Sequence, residues 1–186
     1  VYPESIVVED EDLTYNQQNS QYEVVENFNL MITSPTADIT NNQVTLSFAP
    51  GKSVTRTEDG KISDGTIIVP EQVTLNQSFT VELVQAAYTG KDGEPFTSNA
   101  GGISSLVITT ENNLLSSSTI TIAVDVPVHD VEFTLVDATT GIEFGTEGED
   151  NRVAENTNVE IQTTFYPDAG RYLYSDNVNL AISQNR

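Results

Sequence analysis

Apolar residues recur at every second position in short runs, and turn dipeptides separate those runs. Val44, Leu46 and Phe48 alternate with Thr45 and Ser47, and Phe79, Val81 and Leu83 with Thr80 and Glu82. Leu106 and Ile108 follow, then Ile120, Ile122, Val124, Val126 and Val128. The pattern resumes with Val131, Phe133 and Leu135, returns at Val159 and Ile161, and closes with Val178, Leu180 and Ile182. A period of two places one set of side chains on each face of a pleated strand, so each run is expected to bury one face and wet the other. Residues 81–88 come closest to a helical pattern, but they lack a stripe at helical spacing and their first half alternates, so they too read as a strand.

Asp59-Gly60, Asp64-Gly65, Asp92-Gly93, Gly101-Gly102 and Thr140-Gly141 supply the turns. Gly101-Gly102 has neither the GxGxxG spacing nor a following helix of a phosphate loop, so a tight hairpin turn is expected there. Short alternating runs with regular turns predict an all-β chain and, among all-β architectures, an immunoglobulin-like β-sandwich.

A boundary is expected near residues 126–130, where Pro127 ends one run and Val131 opens another. The reading is two sandwich domains, residues 1–127 with an N-terminal extension and residues 128–186. The second is short for an immunoglobulin-like sandwich, which typically takes around 100 residues. With room for about five strands it exposes an edge and part of a core. Three explanations stay open: the chain is a piece of a longer array, a neighbouring subunit supplies the missing strands, or both parts form one sandwich with long loops. The N-terminal Ser5-Ile6-Val7-Val8 leads into Glu9-Asp10-Glu11-Asp12 and a polar tract to Gln21. It reads as an edge strand blunted by charge, the alternative being a strand on a polar tether that reaches another molecule.

Charge narrows the partners. There are 28 acidic side chains against 7 Lys and Arg, a formal net charge of −21. Both parts are acidic, so the charge belongs to the whole surface rather than to a tail. Phosphate binding needs clustered Lys and Arg, so nucleic acid and anionic membrane surfaces are not expected partners. No run approaches the roughly 20 apolar residues that span a bilayer, so membrane insertion is not expected. The chain opens on Val1 without an apolar leader, which reads as a processed chain or a piece of a longer one.

The residue inventory also limits chemistry. There is no Cys, no Trp, and His129 is the single histidine. Nucleophilic catalysis lacks a base beside a nucleophile, and zinc lacks its ligands. His129 sits at the expected boundary and reads as an exposed linker residue. Carboxylate pairs for glycoside hydrolysis arise by chance in so acidic a chain, and no enzymatic activity is expected. Calcium, a hard ion that prefers oxygen ligands, is the cofactor that the acidic loops suggest. Its candidate ligands are Glu147, Glu149 and Asp150, which surround Gly148, and Asp59 with Asp64; Glu9 to Asp12 form a further acidic run. None has EF-hand spacing, and the default state of each is a solvated acidic loop. Tyr166, Tyr172 and Tyr174 are the local aromatic cluster, read as strand packing or as a platform for a glycan. Asn76-Gln77-Ser78 fits a glycosylation sequon, a triplet too common to inform.

Val131-Glu132-Phe133-Thr134-Leu135, and then Asn156 through the strand Val159-Glu160-Ile161-Gln162-Thr163-Thr164-Phe165-Tyr166 into Pro167-Asp168-Ala169, resemble bacterial immunoglobulin-like domains of the group-2 type. The likeness spans residues 131–169. The Trp usual after the turn is missing, with Tyr172 and Tyr174 in its neighbourhood, and so is the closing Gly-rich strand pair. The resemblance implies extracellular stalks, adhesins, surface layers or phage virion appendages, and no shared catalytic site.

The expected function is therefore non-enzymatic. The chain reads as a subunit or segment of a filament, surface layer or adhesin stalk on a cell or virion surface, held to copies of itself by strand and sandwich packing. The alternative is a virion decoration or adhesin module that binds a glycan or host receptor.

Overall fold

The alternating runs become strands, and among the described residues every regular element is one. The computed structural model describes residues 5–8, 13–33, 43–109, 118–144, 156–168 and 172–173. In chain order the strands are β1 (Ser5–Val8), β2 (Thr14–Asn16), β3 (Gln21–Val24), β4 (Phe28–Thr33), β5 (Gln43–Phe48) and β6 (Thr55–Arg56). Next come β7 (Lys61–Ser63), β8 (Ile67–Pro70), β9 (Gln72–Thr74), β10 (Ser78–Leu83), β11 (Gln85–Thr89) and β12 (Pro95–Asn99). The last are β13 (Gly102–Thr109), β14 (Ser118–Val124), β15 (Val126–Pro127), β16 (Asp130–Asp137), β17 (Val159–Tyr166) and β18 (Tyr172–Leu173).

Two six-stranded sheets hold the first two thirds of the chain. One has the order β1-β4-β10-β8-β7-β6 with antiparallel neighbours throughout. The other runs β2-β3-β14-β13-β5-β9 and is antiparallel except where β3 lies parallel to β14. Strand β1 takes the edge position in its own chain, with Ile6 opposite Ile32. It pairs there with β4 along one side, as the edge-strand reading of Ser5-Ile6-Val7-Val8 expects.

Both sheets give their apolar faces to one core. Phe28, Leu30 and Ile32 of β4, Ile67 and Val69 of β8 and Val81 of β10 meet Val44 and Leu46 of β5, Leu106 and Ile108 of β13 and Ile122 of β14. The buried positions keep the two-residue repeat, so register alone decides which side chains leave water. Each aliphatic side chain buried this way contributes about 1.5–3 kcal/mol.

Turn chemistry explains most of the connections. Asp59-Gly60 lies in the β6–β7 hairpin, Asp64-Gly65 in β7–β8 and Asp92-Gly93 in β11–β12, and Thr140-Gly141 turns the chain after β16. Gly101-Gly102 departs from expectation. It joins β12, paired with β11, to β13 in the second six-stranded sheet, so it is a crossing between sheets and not a hairpin turn. Glycine is required by geometry: φ is 62° at Gly101 and 145° at Gly102. A Cβ at Gly101 would stand 2.7 Å from Val126 Cγ2, and one at Gly102 would stand 2.9 Å from Thr66 Oγ1.

Beyond Val124 the pairing changes. β15 lies parallel to β18, and β16 pairs antiparallel with β17 along all eight residues, from Asp130 opposite Tyr166 to Asp137 opposite Val159. A turn then brings Glu143 opposite Val136, and Phe144 N–H donates to the Leu135 carbonyl. Val178, Leu180 and Ile182 lie outside the described residues.

Candidate functional site

Asp64 and Asp59, the two calcium candidates among the described residues, occupy successive turns and serve different local needs. The Asp64 side chain is fully buried. Its Oδ1 accepts the N–H groups of Thr66 at 2.9 Å and Ile67 at 3.1 Å, which ties the β7–β8 turn. Its Oδ2 accepts the Ser104 hydroxyl at 2.7 Å, and the Lys52 ammonium stands 3.9 Å away. Ser104 has the inward parity of Leu106 and Ile108 on β13, so its hydroxyl needs a partner in the interior, and Asp64 provides it. Donors from the protein thus occupy both carboxylate oxygens.

Asp59 is exposed. Thr57 Oγ1 donates to its Oδ1, and Lys61 Nζ lies 3.9 Å from its Oδ2. The Thr57 hydrogen bond, helped by Lys61, holds the Asp59 carboxyl below its ordinary range. Lys61 donates to Glu82 Oε2 at 2.7 Å, and that bond, with the charges of Glu82 and Asp59, raises the ammonium pKa. Among the described residues no group of three or more His, Asp or Glu side chains is placed to hold a metal ion. Glu147, Glu149, Asp150 and the run Glu9 to Asp12 lie outside the described residues.

The expected aromatic cluster is only partly placed. Tyr166 ends β17, and its hydroxyl donates to Glu132 Oε2 at 3.1 Å across the β16–β17 pair. That hydrogen bond, with the charges of Glu132, Asp130 and Asp92, pushes the phenol pKa up. Tyr172 lies on β18 opposite Val126, and Tyr174 falls outside the described residues.

A different tyrosine pair forms a cleft. Tyr15 on β2 and Tyr22 on β3 stand opposite each other, with ring centroids 4.9 Å apart and planes inclined by 58°. The Asn16 side chain accepts the N–H groups of Gln18 and Asn19 and shapes the intervening turn. Tyr15, Ser20, Tyr22, Thr119, Ile120 and Thr121 line a cavity of about 290 Å³, and all but Ile120 carry a hydroxyl. Two tyrosines bracketing a polar turn were the signal for this cleft, inside a tract that read only as poor in core residues.

The third constellation is the junction around His129. The imidazole is solvent-exposed, as the linker reading expects, yet it lies flat on Phe96, with centroids 4.0 Å apart and planes within 8°. Tyr88 stacks on the same Phe96 at 5.7 Å and donates its hydroxyl to the Asn99 carbonyl. The buried Asn99 amide donates to the carbonyls of Val25 and Asp125, which anchors the β11–β12 hairpin to the body. His129 N–H donates to the Tyr166 carbonyl at 2.8 Å. The ring stack therefore joins the β11–β12 hairpin to the start of the β16–β17 pair, while the Asn99 amide ties the same hairpin to the body.

Compared with protein-family models, with curated protein sequences and with solved structures, the chain matches none.

Proposed function

We propose that this chain is a non-enzymatic structural segment of an extracellular assembly: a filament, surface layer or adhesin stalk on a cell or virion. Its first part is read as an immunoglobulin-like sandwich. In support, the strand order of β1, β4, β5, β8, β10, β13 and β14 agrees with that expected of strands A to G in such a fold. One sheet contains the order β1-β4-β10-β8, as A-B-E-D, and the other contains β14-β13-β5, as G-F-C. The group-2 resemblance remains the reading of the second part, and the two segments that carry it are β16 and its partner β17.

The observation that carries the structural role is the packed junction. Adjoining units move freely unless their contact is substantial. Here His129 is stacked on Phe96, and β15 of the first part is paired with β18 of the second, Val126 opposite Tyr172 and Pro127 opposite Leu173. A spacer that must hold an angle needs such a joint. Copies then associate through strand edges and sheet packing, while the acidic surface limits unspecific clumping until specific contacts form. Divalent cations offset the repulsion.

Antibody labelling of intact cells or virions, with chemical cross-linking of their surface, tests this reading. Surface labelling and cross-linked multimers that contain this chain are expected. Labelling only after permeabilisation overturns it.

The Tyr15–Tyr22 cleft favours a second reading, an adhesin or virion module that takes a sugar ring against an aromatic face among hydroxyls. A glycan-array signal that vanishes on Tyr15→Ala supports it, and a silent array removes it.

A further inference from the structure

The β16–β17 pair turns its apolar face outward. Register places Phe133 and Leu135 of β16 on the same side as Val159 and Ile161 of β17. After the following turn, Ile142 stands opposite Asp137 and Phe144 opposite Leu135, which adds both to that side. Phe144, Leu135 and Ile161 thus form one row across three extended segments. Phe133 is 45% exposed, Leu135 44%, Val159 41% and Ile142 65%. Glu132, Glu143 and Glu160 stand on the opposite face. Asp137 is the one acid of β16 and β17 on the apolar side, and its Oδ1 accepts the N–H groups of Thr139 and Thr140 in the turn. Polarity is sorted as in a sheet with one buried side, yet the large apolar side chains meet solvent. A contiguous apolar face of this kind marks a docking surface.

We propose that the occupant is a second copy of this chain, docked face to face about a two-fold axis, so that two β16–β17 pairs make a small sandwich. The proposal rests on the reading of self-association given above and names the surface that serves it. A two-stranded ladder alone is marginal in water, and an opposing layer supplies the packing it needs.

Charge and size both select this occupant. Two-fold contacts require a patch to match itself, which an apolar face does and a charged one does not. In a chain of net charge −21, a face with its acids turned away is where two copies approach at the least electrostatic cost. A basic partner would find its attraction elsewhere on the surface. At roughly 200 Å² for a large apolar side chain, the four exposed ones offer roughly 400 Å². With the half-buried Ile161 and Phe144 and the surrounding rim, two copies bury about 1,000–1,200 Å², the lower end of specific interfaces. That area suits a reversible contact. Sheets packed face to face lie about 10 Å apart with strands within about 30° of alignment, which lets side chains such as Phe133 and Leu135 interdigitate.

Sedimentation velocity of the full chain, over rising concentration in low and high salt, tests the proposal. A reversible dimer is expected, several-fold tighter in high salt, because screening weakens the repulsion between two acidic copies. Phe133→Asp combined with Leu135→Asp sets unpaired charges in the contact and should weaken the dimer at least tenfold. Thr164→Asp adds a charge to the opposite, exposed face and should leave the dimer intact. The chain has no cysteine of its own. Oxidation of the single variants Phe133→Cys and Leu135→Cys should therefore link two copies in at least one case, and Thr164→Cys should not. A dimer that survives the double Asp variant places the contact on another surface; it overturns this proposal and leaves the reading of a self-associating chain standing. A chain that stays monomeric at every salt concentration also overturns it. Strong binding of a hydrophobic dye by that monomer would then give the face to a partner other than this chain, and weak binding would show it covered within the chain.

Discussion

The Asp64 carboxylate and the Ser104 hydroxyl, 40 residues apart in sequence, meet at 2.7 Å in the interior and link the β7–β8 turn of one six-stranded sheet to β13 of the other. The contact gives the buried Ser104 hydroxyl an acceptor and completes the hydrogen bonding of Asp64 Oδ2. Ser104 lies among core side chains, and Asp64 also receives the N–H groups of Thr66 and Ile67. Removing the carboxylate strands three donors, whereas removing the hydroxyl strands one acceptor position. Asp64→Ala is therefore expected to cost about 3 kcal/mol and Ser104→Ala about 1 kcal/mol, read from urea unfolding midpoints. The double variant should lose about 1 kcal/mol less than the sum of the two, because the contact is shared. Strict additivity would mean that the two groups do not interact.

Gly101 faces two constraints at once, a φ of 62° and the Val126 methyl 2.7 Å from any added Cβ. Gly101→Ala is expected to destabilise by about 2–3 kcal/mol, combining a strained backbone with overpacking. Val126 is fully buried, so Val126→Ala loses packing by itself. In the Val126→Ala background, however, the added cost of Gly101→Ala should fall to about 1–2 kcal/mol, the backbone share. An unchanged increment in that background would show that the methyl contact carries none of the penalty.

These two sites mark where sequence reasoning stops. Val44, Leu46 and Phe48 announced a half-buried strand because the two-residue period is local, and all three are buried. Asp59-Gly60 and Asp92-Gly93 announced hairpins because a positive φ is local too. Gly101-Gly102 sent the same local signal for another reason, the close passage of Val126 and Thr66, and nothing nearby in sequence reveals that. Asp64 read as a calcium candidate in an acidic loop, solvated by default, yet its partner Ser104 arrives from another sheet. His129 read as an exposed linker residue, and its ring is indeed solvent-facing. Its stack on Phe96 depends on a hairpin whose placement is tertiary. The Tyr15–Tyr22 cleft escaped because pairing across a turn, not composition, brings the rings together.

Tyr166 gives a prediction about alkaline pH. The neutral phenol donates to Glu132, and ionisation would place a phenolate beside that carboxylate, so the folded pKa lies above the ordinary value of 10.0. A group whose folded pKa is raised contributes stability that is fully present below its unfolded pKa and lost as pH rises through the folded one. The β16–β17 pair should thus keep this contribution up to about pH 10 and lose it above. Followed by phenolate absorbance, Tyr166 should ionise later than an unperturbed tyrosine. Glu132→Gln should bring that late step back toward the ordinary value, and Tyr166→Phe should abolish it. A titration unaltered by Glu132→Gln would count against the hydrogen bond.

The ring stack at the junction gives the most direct mechanical prediction. Phe96 stacks with both Tyr88 and His129, and the His129 amide donates to the Tyr166 carbonyl. Aromatic contacts of this kind contribute about 0.5–1.5 kcal/mol beyond the area they bury. Phe96→Ala removes both contacts while leaving Tyr88 its hydrogen bond to the Asn99 carbonyl. Amide hydrogen exchange at His129 should then quicken by roughly tenfold, since about 1.4 kcal/mol of opening free energy corresponds to that factor. The amides of Leu30 and Leu106, deep in the shared core, should keep their protection. His129→Ala should reproduce the junction effect at its neighbours, and His129→Phe, which preserves a flat ring, should restore slow exchange. If Phe96→Ala leaves His129 as protected as before, the β16–β17 ladder alone protects that amide and the stack is incidental. If exchange quickens equally at Leu30, Phe96 supports the whole fold rather than the joint, and the rigid-spacer reading loses its main support.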